Sequence, residues 1–182
     1  HGQTLNFNKL AGAADLSVPT LKKYLTILEQ THMVRLLQPF ERNLKKRLIK
    51  SPKVFLRDSG ILHSLLGIET YEDLLAHPVN GSSWEAFAME NIVAAMPRHR
   101  PSFLRTSNGA EIDLVMERGR ETEVFEFKLS KAPKPSRGFH QLCKDLNPVR
   151  SWVIAPVDES YPLSKEITVA PPLFVATRSA RR

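Results

Sequence analysis

Glu126 and Lys128 stand two apart in the run Glu123-Val124-Phe125-Glu126-Phe127-Lys128, and residues two apart on a strand share a face. They therefore project together, away from Phe125 and Phe127. An earlier strand-like run, Glu111-Ile112-Asp113-Leu114-Val115-Met116, supplies Asp113, whose carboxylate meets Glu126 across the ladder if the two strands are antiparallel neighbours. Two acids and a lysine then converge. Two further carboxylates lie upstream. Residues 83–96 are apolar nearly all round a helical projection, which marks a buried helix, yet they include Glu85 and Glu90. Burying an unpaired carboxylate is costly, so each needs a reason to be there. Such a group is either put to chemical use or held as a buried ion-pair cluster.

The surrounding pattern supplies the scaffold. Strand-like runs at 102–105, 111–116 and 123–128 are punctuated by Gly109 and Gly119, and a helical pattern over 137–146 precedes a further strand at 151–155. The order is helix, three strands, helix, strand. Ahead of it, Ile61, Leu62, Leu65 and Leu66 mark a connecting helix that stops at Gly67, and residues 71–75 form another short turn of helix. Pro133, Pro135, Pro171 and Pro172 are read as loop residues.

A different pattern occupies the first fifty residues. Asn6 is a good N-cap for a helix carrying Phe7, Leu10, Ala11 and Ala14 at helical spacing. Asp15-Leu16-Ser17 reads as a tight turn, with Ser17 capping a second helix whose Pro19 falls in the first turn and whose buried stripe is Leu21, Leu25 and Leu28. Lys22 and Lys23 fall on the other face. Two short helices about a tight turn match a helix-turn-helix. Strand candidates at 33–38 and 54–56, flanking the basic run through Lys50, complete the pattern of a winged helix. On that reading Lys22 and Lys23 approach a DNA major groove and Lys45, Lys46 and Arg47 contact phosphates.

Charge divides the chain in the same way. The net charge is +7 over 182 residues, yet residues 1–50 carry +6, residues 51–177 carry −2, and Arg178, Arg181 and Arg182 add the rest. The boundaries expected are a winged helix-turn-helix over 1–57, an α/β unit over 58–177 and a basic tail over 178–182. One cysteine, Cys143, rules out a disulfide framework. There is no apolar run of bilayer length and no Gly-rich phosphate loop. The expectation is a cytoplasmic protein with no membrane partner and no ATP site in this segment.

The order of elements and the residues on them resemble the PD-(D/E)XK nuclease superfamily. Gly81-Ser82-Ser83-Trp84-Glu85, Ile112-Asp113-Leu114-Val115 and Phe125-Glu126-Phe127-Lys128 are most similar to its Holliday-junction resolvase branch, and Gln141-Leu142 is similar to the Gln-Leu element of the RecB-type branch. Over residues 2–177 the chain resembles the C-terminal region of a group of bacterial and archaeal AAA-type ATPases. In that group a winged helix and a Ser-Pro-Lys-Val-Phe-Leu-Arg-Asp-Ser-Gly stretch, here residues 51–60, precede a nuclease-like domain. The resemblance implies an α/β fold with a restriction-endonuclease-like mixed sheet, DNA as partner beside the ATPase domain of a parent chain, and Mg²⁺ or Mn²⁺ as cofactor. It implies that Asp113, Glu126 and the Phe127 carbonyl ligate the metal, that Glu85 reaches it directly or through water, that Lys128 assists the nucleophile or the developing phosphoryl charge, and that Gln141 meets nucleic acid. Glu90, roughly 140° round the helix from Glu85, is the alternative helix acid. The alternative function is a nuclease fold that has lost catalysis and mediates interactions for the ATPase.

Overall fold

The computed structural model describes residues 1–41 and 48–180; Lys45, Lys46, Arg47, Arg181 and Arg182 lie outside the described residues. A two-residue strand, β1 (Gln3–Thr4), leads into α1 (Phe7–Ala13), where the Asn6 side chain accepts the N–H of Lys9. Ser17 does the same for Thr20 at the start of α2 (Val18–Gln30), with proline in the first turn, where its missing N–H has no intrahelical partner to lose. Two strands follow, β2 (Val34–Leu37) and β3 (Lys53–Leu56), and the small sheet runs β1-β3-β2, all antiparallel. Leu5, Ala11, Leu21 and Leu25 form its core with α1 and α2. Leu28, expected in the same stripe, is exposed, because that core stops one turn short of it.

Asp58 caps α3 (Ser59–Leu65), which ends before Gly67 at φ +68°, and Thr70 with Asp73 forms a capping box for α4 (Tyr71–Ala76). The long helix α5 (Asn80–Ala95) then enters the main body. Strands β4 (Arg100–Arg105), β5 (Glu111–Arg118) and β6 (Glu121–Phe127) form an antiparallel meander. Helix α6 (Arg137–Leu146) crosses to β7 (Arg150–Ile154), parallel to β6, and β8 (Tyr161–Pro162) and β9 (Ile167–Ala170) complete a mixed six-stranded sheet in the order β4-β5-β6-β7-β9-β8. The last helix is α7 (Pro172–Ala180). Here the expectation of a loop at Pro172 was wrong. Proline opens this helix at the position where its fixed φ suits it, and Arg178 belongs to the helix instead of a free tail.

The described residues thus form a mixed α/β molecule of seven helices and two sheets. One face of the large sheet packs Phe103, Leu114, Met116, Phe125 and Trp152 under α5 and α7; the other packs Ile112, Val115, Val124 and Val153 under α6. Leu37 and Phe55 of the small sheet lie in the first of these cores. The two sheets are also stitched directly: Phe40 N–H donates to the Phe103 carbonyl, and Phe103 N–H donates to Gln38. No helix among the described residues is long and apolar enough to cross a membrane.

Candidate functional site

Strand parity breaks at Asp113. Ile112 faces the α6 core and Leu114 the α5 core, although residues two apart normally share a face. The cause is an irregularity in the β4–β5 pairing, which steps from Ser102↔Val115 to Leu104↔Ile112 and so inserts one extra residue in β5. At this bulge the Asp113 carboxylate reaches across to β6 and accepts the N–H of Phe127 at 2.9 Å. Glu126, flanked by Phe125 and Phe127 of the α5 core, emerges on the opposite face. There both its oxygens accept the N–H of Ser136, the N-cap of α6, at 3.1 and 3.0 Å. Lys128 follows Glu126, as their shared parity requires, with 2.9 Å between ammonium and carboxylate.

What gathers around Asp113 instead is a cation from the small sheet. Lys53, the first residue of β3, is only 4% exposed and lies over the rings of Phe55 and Phe103. Its ammonium is 3.1 Å from Glu85 Oε1 on α5 and 2.7 Å from Glu111 Oε1 on β5. Arg105 approaches the other Glu111 oxygen at 3.7 Å. Burial alone would lower the Lys53 pKa, but the surrounding carboxylates of Glu85, Asp113 and Glu111 more than offset it, so Lys53 stays charged. Burial pushes Glu85 up, with Lys53 pulling the other way. Burial and the nearby Glu85 carboxylate raise Asp113 to about 8, against the lowering effects of Lys53 and the Phe127 N–H. Three carboxylates thus share one buried ammonium.

The residues expected to hold a divalent cation each have a partner in this arrangement. Glu85 is paired with Lys53, Asp113 with a backbone N–H and Glu126 with Ser136 and Lys128, and no group of three or more acidic, histidine or cysteine side chains among the described residues is placed to hold a metal ion. Around Asp113 the geometry is that of a buried ammonium ion-paired with partly buried carboxylates.

Two domain models match, a domain of unknown function, DUF8612, over residues 1–72, and a domain of unknown function, DUF4143, over residues 80–174. The second covers more than half of the chain. The chain belongs to the DUF4143 family. It is 34% identical over 171 residues to uncharacterised proteins of Mycobacterium bovis and Mycobacterium tuberculosis, an overlap of 94% of this chain and 39% of each relative. It therefore spans about two-fifths of the length of the curated relatives it matches. No solved structure matches it.

Within the DUF4143 segment, Glu90 has the partners that a buried acid demands. Arg35 on β2 binds both its oxygens through Nε and Nη2, and the Nε of Arg57 donates to Oε2 at 2.9 Å. Glu90 is thus committed to clamping the DUF4143 helix α5 onto the small sheet, while Glu85 belongs to the Lys53 group. Glu90→Gln should cost about 2 kcal/mol in urea unfolding, less than a fully buried pair because Arg57 keeps partial access to water. An unchanged midpoint would show that the clamp contributes nothing.

Among the proposed nucleic-acid residues, Lys22 and Lys23 are exposed on α2, with the Lys22 ammonium 5.1 Å from the Phe7 ring, and Gln141 is exposed on α6. Lys53 and Glu111 were missed by sequence reasoning. The one available signal was a lysine alternating with Val54 and Phe55 at the start of a strand, but its partners are 32 and 58 positions away along the chain.

Proposed function

We propose that this chain is a DNA-binding module with a winged helix and a nuclease-like sheet that does not cut, carried by a longer ATPase-containing protein. The observation that supports it best is Lys53. A buried ammonium compensates the carboxylates that would otherwise attract a cation, and a protein that used those acids to hold Mg²⁺ would gain nothing from a competing cation among them. The capped pair α1 and α2 presents Lys22 and Lys23 to solvent, as DNA contact requires. The relatives' greater length leaves room for the ATPase.

Mg²⁺-dependent cleavage is the second reading. It draws on the Glu126–Lys128 pair and on the closeness of Glu85 to Asp113, which adds to burial in raising the Asp113 pKa. The experiment offers single-stranded, duplex and branched DNA with Mg²⁺ or Mn²⁺ and follows binding, cleavage and the thermal midpoint together. Expected are salt-sensitive binding that Lys22→Ala/Lys23→Ala weakens, intact DNA, and no rise in midpoint with metal. Cleavage that disappears in both Asp113→Asn and Lys128→Ala while binding persists would establish the second reading.

A further inference from the structure

The strands β5 and β6 have a second end, remote from Lys53. Asp113 and Phe127 mark the Lys53 end; at the other, Arg118 closes β5 and Glu123 lies near the start of β6. There the structure holds two cavities of about 490 and 570 Å³, each in the size range of small-molecule sites. They share one wall, made by Arg150 and Trp152 of β7 and Arg178 of α7. Arg98 and Arg118 line the first cavity, and Lys144 and Lys165 the second. Six basic side chains therefore face three acids, Glu121, Glu123 and Glu166.

Those acids are partly committed. Glu123 accepts from Arg150 Nη1 at 3.0 Å and from the Trp152 indole at 2.8 Å, which fixes the guanidinium in place. Arg178 lies over the face of the same indole, 5.5 Å from the ring. Two arginines of the shared wall are thus oriented in advance, so little side-chain entropy remains to be lost when an anion arrives. Arg98 and Arg118 are exposed and form no ion pair among the described residues. Because Trp152 is 2% exposed and covered by Arg178, the wall has no open aromatic face on which a base could stack.

We propose that this double cavity is a phosphate-binding groove for a ligand with several linked phosphates, read through its charge and not through its bases. Guanidinium groups match phosphate bidentately, and two adjoining basic cavities suit a chain of phosphates better than a single anion. The phosphates come from a nucleic-acid backbone or from a nucleoside polyphosphate. The groove is independent of the reading of the Lys53 end and of Lys22 and Lys23.

Calorimetric titration of the whole chain with inorganic tripolyphosphate, ATP and a short oligothymidylate, at low and moderate salt, tests it. Saturable binding of at least one probe is expected, weakened about tenfold by Arg98→Ala/Arg118→Ala, two exposed positions whose loss leaves the thermal midpoint unchanged. Lys131→Ala/Lys134→Ala, which removes the same charge from exposed positions that line neither cavity, should leave that affinity within error. If the oligonucleotide binds more tightly than ATP and with a steeper salt slope, the source is a nucleic-acid backbone; equal affinity and slope assign it to a nucleotide. Absence of saturable binding by all three probes, or equal weakening by the two double variants, overturns the groove.

Discussion

Lys53→Met lowers the stability of the chain by about 2–4 kcal/mol, somewhat under the range for removing one partner of a fully buried ionic group because Glu85 and Glu111 keep partial access to water. The methionine fills most of the lysine's volume and keeps its apolar stem against Phe55 and Phe103, so the loss is not a cavity effect. What changes is that Glu85 and Glu111 lose the ammonium at 3.1 and 2.7 Å while Asp113 stays beside them. Adding Glu85→Gln to Lys53→Met should recover part of the loss, since an amide in place of a partly buried carboxylate removes the uncompensated charge. The double-mutant cycle by urea unfolding measures the coupling. Additive single effects would mean that Lys53 acts through packing alone. The same variant bears on function. If Lys53 stands in for a metal, Mn²⁺ should raise the midpoint of Lys53→Met and leave wild type unchanged; a rise in wild type alone would return the site to the nuclease reading.

The contribution of Asp113 to stability falls as pH rises from about 4 to about 8, with a slope of up to about 1.4 kcal/mol per pH unit. The sign follows from the folded protein holding this proton more tightly than the unfolded chain does. Its pKa moves from 3.8 to about 8. The contribution is complete below the unfolded value and is lost as pH climbs through the folded one. Burial is the main cause, Glu85 and Glu111 add to it by repulsion, and Lys53 and the Phe127 N–H oppose it. Asp113→Asn keeps an oxygen for that N–H and carries no charge at any pH. Relative to wild type it should be near neutral at pH 4 and several kcal/mol more stable at pH 8, read from urea midpoints across that interval. Parallel curves for the two proteins would mean that Asp113 ionises normally.

Much of the local architecture was written in short-range pattern. Asn6 and Ser17 cap the helices at which they were expected, Gly67, Gly109 and Gly119 all take positive φ where an element ends, and Glu126 and Lys128 meet because strand parity compels it. Each depends on residues within a few positions, where backbone geometry translates spacing into contact. Leu28 and Pro172 escaped this logic. A helical stripe says which side faces inward and not how far the neighbouring core extends, and a proline that ends one element is equally suited to begin another.

The sequence by itself determined the inventory: an apolar helix bearing two acids, three strands of which the second carries Asp113 and the third Glu126 and Lys128, and a basic amino-terminal segment with its own helix pair. Tertiary structure alone decided who neutralises whom. The bulge in β5 turned Asp113 towards Lys53 and away from Glu126, the crossing of α6 set Ser136 against Glu126, and the small sheet inserted Lys53 and Arg35 beside the two acids of α5. None of these pairings has a local signal, because a buried charge selects its partner by distance through the fold and not by separation along the chain.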